Sequence, residues 1–370
     1  MFLKITILPG DGIGPEVIEE AIRVLDAIAR AFGHELSLNR KNIGGAALLA
    51  SKDPLPADTL QACISSSAVL LGAVGSPSFD DMPAHLRPEA GLLKLRRELG
   101  AFANLRPAVC YPALEDCSPL RAEVARGTNI LIVRELLGGL YFGEPRLLHG
   151  PAGGRAATNT MRYDEPEIKR IARIAFDLAR ARRHRLVSVD KANVLECSRL
   201  WREVVTEIGR DYPDVTLSHM YVDSAAMALV TRPCDFDVLL TENMFGDILS
   251  DQAGGIVGSL GMLASASLGG PVALYEPVHG SAPDIAGQGI ANPLGAILSV
   301  AMLLHYSFQL EREASCVESA VSAVLRAGNR TRDLAKGGRL SLSTSDMGVQ
   351  VVESVKEIAR GNPRNVAVGD

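Results

Sequence analysis

The chain has 370 residues, is 47% hydrophobic and carries a formal net charge of −5. That length holds two domains or one large one, with apolar residues enough for a sizeable core, and the mild acidity gives no reason to expect a nucleic-acid partner. Six cysteines are scattered at 63, 110, 117, 197, 234 and 316 with no C-x-x-C, which argues against a zinc site and for a reducing compartment.

The opening stretch, MFLKITIL, breaks at Pro9-Gly10, too soon for a signal-peptide core and cleavage site. No apolar run reaches 18 residues, so no membrane span is expected and the expected address is the cytoplasm. Ile5–Leu8 reads as a buried strand, followed by a glycine turn and a helix over 15–32 that Pro15 and Glu16 open. Gly10-Asp-Gly12-Ile-Gly14 is spaced G-x-G-x-G, not G-x-G-x-x-G, and Pro15 removes an amide that would face a pyrophosphate. A tight strand-to-helix turn is therefore preferred to a dinucleotide fingerprint.

Val69–Val74 is the next buried strand, and GLLKLRREL reads as a helix. On it Leu92 and Leu93 lie one turn before Arg96, so all three can face one cleft, although both leucines can equally pack the helix onto a core. Arg106, before Pro107 in an apolar setting, is poorly explained as a surface solubiliser. Ile130–Val133 is a strand that delivers Arg134, and Tyr141 follows among Gly138, Gly139 and Gly143. Such glycines suggest close approach by something, against the simpler reading of a core aromatic. Residues 147–163, with HGPAGGRAATNTMRY, lack apolar periodicity and read as a protruding arm. A helix over 165–182 ends in the run ARARRHR, taken as solvated charge at a helix C-terminus.

LVSVDKANVL places Lys191 at a strand end beside Asp190 and Asn193, either as a surface residue or as a base of depressed pKa. A helix over 197–209 follows, then the strand-like LSHMYVD with Asp223, which is a helix N-cap or a functional acid. After a strand at Val238–Leu240, TENMFGDILSDQAGG sets Asp247 and Asp251 four apart on one helical face among Met244, Phe245, Ile248 and Leu249. Like charges in that setting call for a positive partner. Three aspartates converging would suit Mg²⁺ or Mn²⁺, which take carboxylate oxygens. Residues 254–270 carry six glycines and read as a hinge or crossing point, and helices are expected over 293–308 and 314–328. Buried strands alternating with helices make this an α/β protein with both sheet faces covered.

LRRELGAFANLRP, VRELLGGLYFGEPR, VDKANVL, NMFGDILSD and HGSAPDIAG together resemble the β-decarboxylating dehydrogenases of the isocitrate/isopropylmalate family, over nearly the whole chain. The resemblance implies a non-Rossmann isopropylmalate/isocitrate dehydrogenase-like fold of two α/β domains with a central cleft. Residues 1–101 plus 258–370 would bind the cofactor. The inserted 102–257 would hold substrate, metal and the dimer contact, with the arm near 147–163. Asp223, Asp247 and Asp251 would ligate Mg²⁺ or Mn²⁺, Arg96, Arg106 and Arg134 would hold substrate carboxylates, and Lys191 and Tyr141 would be the acid–base pair. Lys191, Asn193 and Asp223 would reach the site of a neighbouring subunit, making the enzyme a homodimer with shared active sites.

Glu89, Leu92 and Leu93 resemble the pocket for an isopropyl group. The implied reaction is the oxidation and decarboxylation of 3-isopropylmalate to 4-methyl-2-oxopentanoate and CO₂ in leucine biosynthesis. Tartrate, D-malate or homoisocitrate are the rival substrates, and a non-catalytic regulatory subunit is the rival from another class. His279, Gly280, Ser281, Ala282, Pro283, Asp284, Ile285 and Asn292 resemble one cofactor loop. Gly75, Ser76, Pro88 and Glu89 resemble the other. A carboxylate at Asp284 would repel a 2′-phosphate, favouring NAD over NADP.

Overall fold

The computed structural model describes residues 1–147, 154–335 and 340–361, so residues 148–153 of the expected arm lie outside the described residues. Ten strands occur among them: β1 (Phe2–Gly10), β2 (Glu35–Arg40), β3 (Ala68–Ala73), β4 (Ala103–Val109), β5 (Asn129–Glu135), β6 (Arg185–Asp190), β7 (Thr216–Tyr221), β8 (Val238–Thr241), β9 (Ala264–Leu268) and β10 (Ala273–Pro277). The helices are α1 (Gly14–Phe32), α2 (Gly44–Ser51), α3 (Ala57–Ile64), α4 (Pro88–Glu98), α5 (Ala122–Ala125), α6 (Glu165–Arg180), α7 (Glu196–Gly209), α8 (Val222–Thr231), α9 (Asn243–Val257), α10 (Leu294–Phe308), α11 (Glu311–Arg326) and α12 (Thr344–Arg360).

The chain forms two compact units: one of 1–101, 111–119 and 257–370, the other of 102–110 and 120–256. In the first, strands lie in the order β2-β1-β3-β10-β9, parallel except for the β10–β9 pair. In the second the order is β4-β5-β8-β6-β7, parallel except for β4–β5. All six residues of β3, AVLLGA, are buried, as expected of a parallel strand covered on both faces. Helix α10 is buried on almost every side and packs on α1, α11, β9 and β10. In the second unit α6 and α7 pack together, α6 also covering β5 and β8. No helix among the described residues is long and apolar enough to cross a membrane.

The glycine turn is a structural joint. Gly10 and Gly12 have φ of +75° and +57°, a region open to glycine and strained for other residues. Asp11 N donates to Ala73 O at 2.8 Å and Ile13 N to Ser281 O at 2.8 Å. The Asp11 carboxylate accepts from Gly45 N and Ala46 N at 2.8 Å and from Gly75 N at 3.0 Å. One acidic side chain thus starts α2 and anchors the loop after β3.

Two expectations are corrected. Residues 254–270 are not one loose region: 254–257 finish α9, Leu260–Met262 form a short turn and β9 follows. Small residues hid that strand, which exists because it pairs with β10 and Ser265 Oγ donates to Glu276 O at 2.9 Å. The basic run near 180–185 is not simply solvated. Arg182 pairs with the fully buried Asp237 at 2.9 Å, and Arg180 with Asp214 at 2.6 Å. Within 147–163, Leu147 and Thr158 exchange both backbone hydrogen bonds in an antiparallel bridge.

Helix α1 packs on α12 through an acid. Glu20 is 4% exposed, and a Cβ added at Gly348 would lie 2.0 Å from its Oε2. Burial pushes its carboxyl up to about 7 against the pull of Arg23, with Glu19 and Asp346 adding to the rise. A raised carboxyl contributes stability that is whole below the unfolded value near 4.5 and fades as pH climbs through about 7. Glu20→Gln is therefore expected to be more stable than the parent at pH 8, by about 1–3 kcal/mol. The gain should vanish at pH 4, with melting temperatures across that range as the check.

Candidate active site

In the second unit, antiparallel β4 and β5 set Arg106 opposite Ile132 and Asn104 opposite Arg134. Parallel β8 pairs Arg134 with Thr241 and ends one residue before Glu242. The Glu242 carboxylate accepts from Met244 N at 3.1 Å and Phe245 N at 2.6 Å, starting α9 as a cap does. Helical spacing then sets Asp247 and Asp251 on one face of α9, one turn apart.

The positive partners of this pair are two arginines whose side chains are almost wholly buried. Arg134 Nη1 pairs with Asp247 Oδ1. Arg106 Nη1 donates to Ser250 Oγ at 2.7 Å and lies 3.4 Å from Asp247 and 3.5 Å from Asp251. Tyr141 Oη donates to Asp247 Oδ2 at 2.8 Å, and the Arg134 guanidinium lies over its ring at 5.5 Å. Burial, then the Asp247 hydrogen bond and charge, push the Tyr141 hydroxyl up to about 12, so it holds its proton at neutral pH. The Asp251 side chain is 58% exposed. Its carboxyl is nonetheless raised, first by the water it has lost and then by Asp247, with Arg106 opposing.

Lys191 follows β6 in a turn fixed by Asp190, which is 1% exposed. Asp190 accepts from Ala192 N at 2.9 Å and binds Arg202 through both oxygens. Lys191 Nζ pairs with Asp223, whose carboxyl is lowered first by that hydrogen bond. Asp223 lies in the first turn of α8, two residues past the cap position occupied by Tyr221. Within this chain it does not join Asp247 and Asp251. Among the described residues no three His, Cys, Asp or Glu converge closely enough to hold a metal. Two carboxylates on successive turns are the right oxygen donors for Mg²⁺ or Mn²⁺, but an incomplete set. Asn193 is exposed.

In the first unit, Arg96 on α4 pairs with Glu276 on β10 at 2.7 Å, and its buried Nε has no partner among the described residues. Leu92 packs against a core that includes Leu8, Leu71 and Leu95, so the packing alternative holds for it. Leu93 is half-buried and stands outside that cluster. Gly75, Glu89 and Ser281 come together from three segments. A Cβ added at Gly75 would lie 3.1 Å from Glu89 Oε1 and 3.3 Å from Ser281 Oγ. Pro88 opens α4, and Ser76 precedes a short turn at Pro77–Phe79.

A cavity of about 430 Å³ lies among His279, Ala282, Ile285, Asn292 and their neighbours, a size suited to a small molecule. Ile13 and Ile290 add apolar walls, Arg332 and Asp333 polar ones. His279 Nδ1 lies 2.9 Å from Gly280 O, while its buried Nε2 has no partner among the described residues. Burial lowers its pKa. An apolar slot with an unanswered polar atom fits the adenosine end of a dinucleotide. Asp284 and Pro283 are exposed and do not line the cavity, and Gly280 is likewise exposed.

Sequence reasoning missed Glu276, Asp333 and the pair Glu242-Asn243. The last had a readable signal, an acid and an amide at a helix start. Asp333 had none, because Ser259 and Asn292, which donate to it, lie 74 and 41 residues away.

The profile of the isocitrate/isopropylmalate dehydrogenase family matches residues 4–351. A 3-isopropylmalate dehydrogenase of Nitratidesulfovibrio vulgaris is 56% identical over 357 residues, covering 96% of this chain and 100% of the relative. One from Aquifex aeolicus is 52% identical, covering 96% and 98%. A solved isocitrate dehydrogenase from Methylococcus capsulatus superposes with a TM-score of 0.85 at 36% identity, covering 96% of this chain and 99% of that one. A match across almost the whole chain, carried by the motifs that build both units, places this protein in the isocitrate/isopropylmalate dehydrogenase family.

Proposed function

We propose that the protein oxidises and decarboxylates 3-isopropylmalate with NAD⁺, giving 4-methyl-2-oxopentanoate, CO₂ and NADH in leucine biosynthesis. The convergence of Arg106, Arg134 and Tyr141 on Asp247 carries the reading. Relatives named for that activity supply the substrate. A dianionic hydroxy diacid needs guanidinium forks, and Arg106 and Arg134 offer two. Lys191 takes the hydroxyl proton, and Tyr141, protonated at neutral pH, gives one to carbon after CO₂ leaves.

Asp247 and Asp251 would hold a divalent cation, completed by Asp223 of a second copy. The cation supplies Lewis acidity and the nicotinamide a hydride acceptor. A shared site fits the surface that bears Lys191 and Asp223. Val194, Met227, Val230 and Ile248, on the loop after β6, on α8 and on α9, are exposed apolar residues that a second copy would cover. His279, Ile285 and Asn292 would receive the adenosine of NAD, and the exposed Asp284 disfavours a 2′-phosphate.

Asp251→Asn is expected to weaken Mn²⁺ binding and turnover together. Unchanged Mn²⁺ affinity in a titration would remove the metal reading.

Substrate choice decides between isopropylmalate and its rivals. Burying a branched alkyl group is worth about 1–3 kcal/mol per methylene lost from the rival, so kcat/KM for isopropylmalate should exceed that for D-malate at least about tenfold. Leu93→Ala should narrow the gap more than Leu92→Ala, since Leu92 is occupied with the core. Equal kcat/KM for the two substrates would favour the malate or tartrate reading.

A further inference from the structure

The carboxamide of Asn243 uses all four of its hydrogen-bonding positions on Arg134 and on the stretch just before Tyr141. Its Oδ1 accepts from Arg134 Nε at 3.0 Å and Nη2 at 2.7 Å. Its Nδ2 donates to Leu136 O and Gly138 O, both at 3.0 Å. The residue is fully buried. Its backbone N donates to Tyr163 Oη at 2.9 Å, and that hydroxyl donates in turn to Glu242 Oε2 at 3.3 Å. The Tyr163 ring lies flush against the turn that leads to Tyr141. A Cβ added at Gly138 would sit 2.5 Å from Tyr163 Cε1, and one at Gly139 2.6 Å from Tyr163 Oη. One side chain therefore sets the Arg134 fork, and the same side chain suspends the 136–138 stretch.

We infer that Asn243 is a positioning residue of the active site, holding Arg134 and the Tyr141 turn in a single register, with Tyr163 locking its backbone. The inference rests on the proposed roles of Arg134 and Tyr141. Only an amide of this length fits. An aspartate still accepts from Arg134, but it has no donor for the two carbonyls and sets a negative charge against them. Asn243→Asp should thus keep the substrate clamp and release the turn, and displacement of about 1 Å is worth roughly 10²-fold in rate. Tyr163→Phe removes one oxygen, keeps the ring against the glycines and should act in the same direction more weakly.

The test uses the full-length protein with NAD⁺, Mg²⁺ and isopropylmalate, parent and both variants in parallel. Thermal melts, the isopropylmalate dissociation constant from calorimetry, steady-state kcat and stopped-flow NADH absorbance in the first turnover are measured. Tyr141 acts after hydride transfer. Asn243→Asp should therefore form its first NADH at nearly the parent's rate and then turn over roughly 10²-fold more slowly, with substrate affinity within about threefold. Tyr163→Phe should show the same split at about tenfold, and it carries the test alone if Asn243→Asp does not fold. First-turnover and steady-state rates that fall together, a change confined to substrate affinity, or normal kinetics in both variants would each overturn the role of Asn243 while leaving the function intact. A parent that makes no NADH from isopropylmalate refutes the functional reading and this inference with it.

Discussion

Lys191→Met is expected to lower kcat about 10²–10⁴-fold, the range of a general base, while isopropylmalate binding changes far less. The lysine sits in a turn whose frame does not depend on its ammonium group. Asp190 and Arg202 hold the turn, and Val194 N and Leu195 N both donate to Lys191 O at 2.9 Å. Methionine keeps the stem and removes the base, so the fold should survive. In this chain the ammonium pairs with Asp223, and among the described residues Asp223 does not join Asp247 and Asp251 in a metal-sized cluster. If a second copy completes the site, mixing and refolding Lys191→Met with Asp247→Asn should restore part of the activity. Each mixed dimer then keeps one intact site. No recovery on mixing would argue against sharing, and near-normal kcat in Lys191→Met would remove the lysine from the chemistry.

A large loss of stability is expected of Gly10→Ala. Alanine there must adopt φ of +75°, and its Cβ would lie 1.8 Å from Ala73 O, a backbone atom that already accepts from Asp11 N. Left-handed strain and forced displacement of β3 together cost about 2–5 kcal/mol. Urea unfolding of Gly10→Ala measures it. Because Asp11 also holds Gly75 and the start of α2, the variant should weaken NAD binding as well. A loss below about 1 kcal/mol would mean that the turn is looser than its contacts imply.

Much of this was legible locally. Helices α1, α6, α7, α10 and α11 are legible to within a few residues, because an apolar stripe every three or four positions has one way to be buried, whereas the bounds of α9 and α12 are not read from the sequence. Strand β3 was legible because six buried apolar residues cannot lie on an exposed edge. The preference for a tight turn over a dinucleotide fingerprint came from glycine spacing and one proline. Beside these, β9 was invisible, since alanine and serine carry no strand period until β10 pairs with them.

The site divides along the same line. Helix geometry alone put Asp247 and Asp251 on one face and predicted that a positive charge must answer them. Which charges answer is tertiary. Arg106 and Arg134 arrive on two other strands, more than 100 residues earlier. Arg96 finds Glu276 across 180 residues, and Leu92 packs on a core cluster that does not include its neighbour Leu93. Spacing within one element follows from the rise and period of the backbone, which every stretch of sequence carries with it. The partner of a buried charge follows from which elements pack side by side, and no local stretch holds that information.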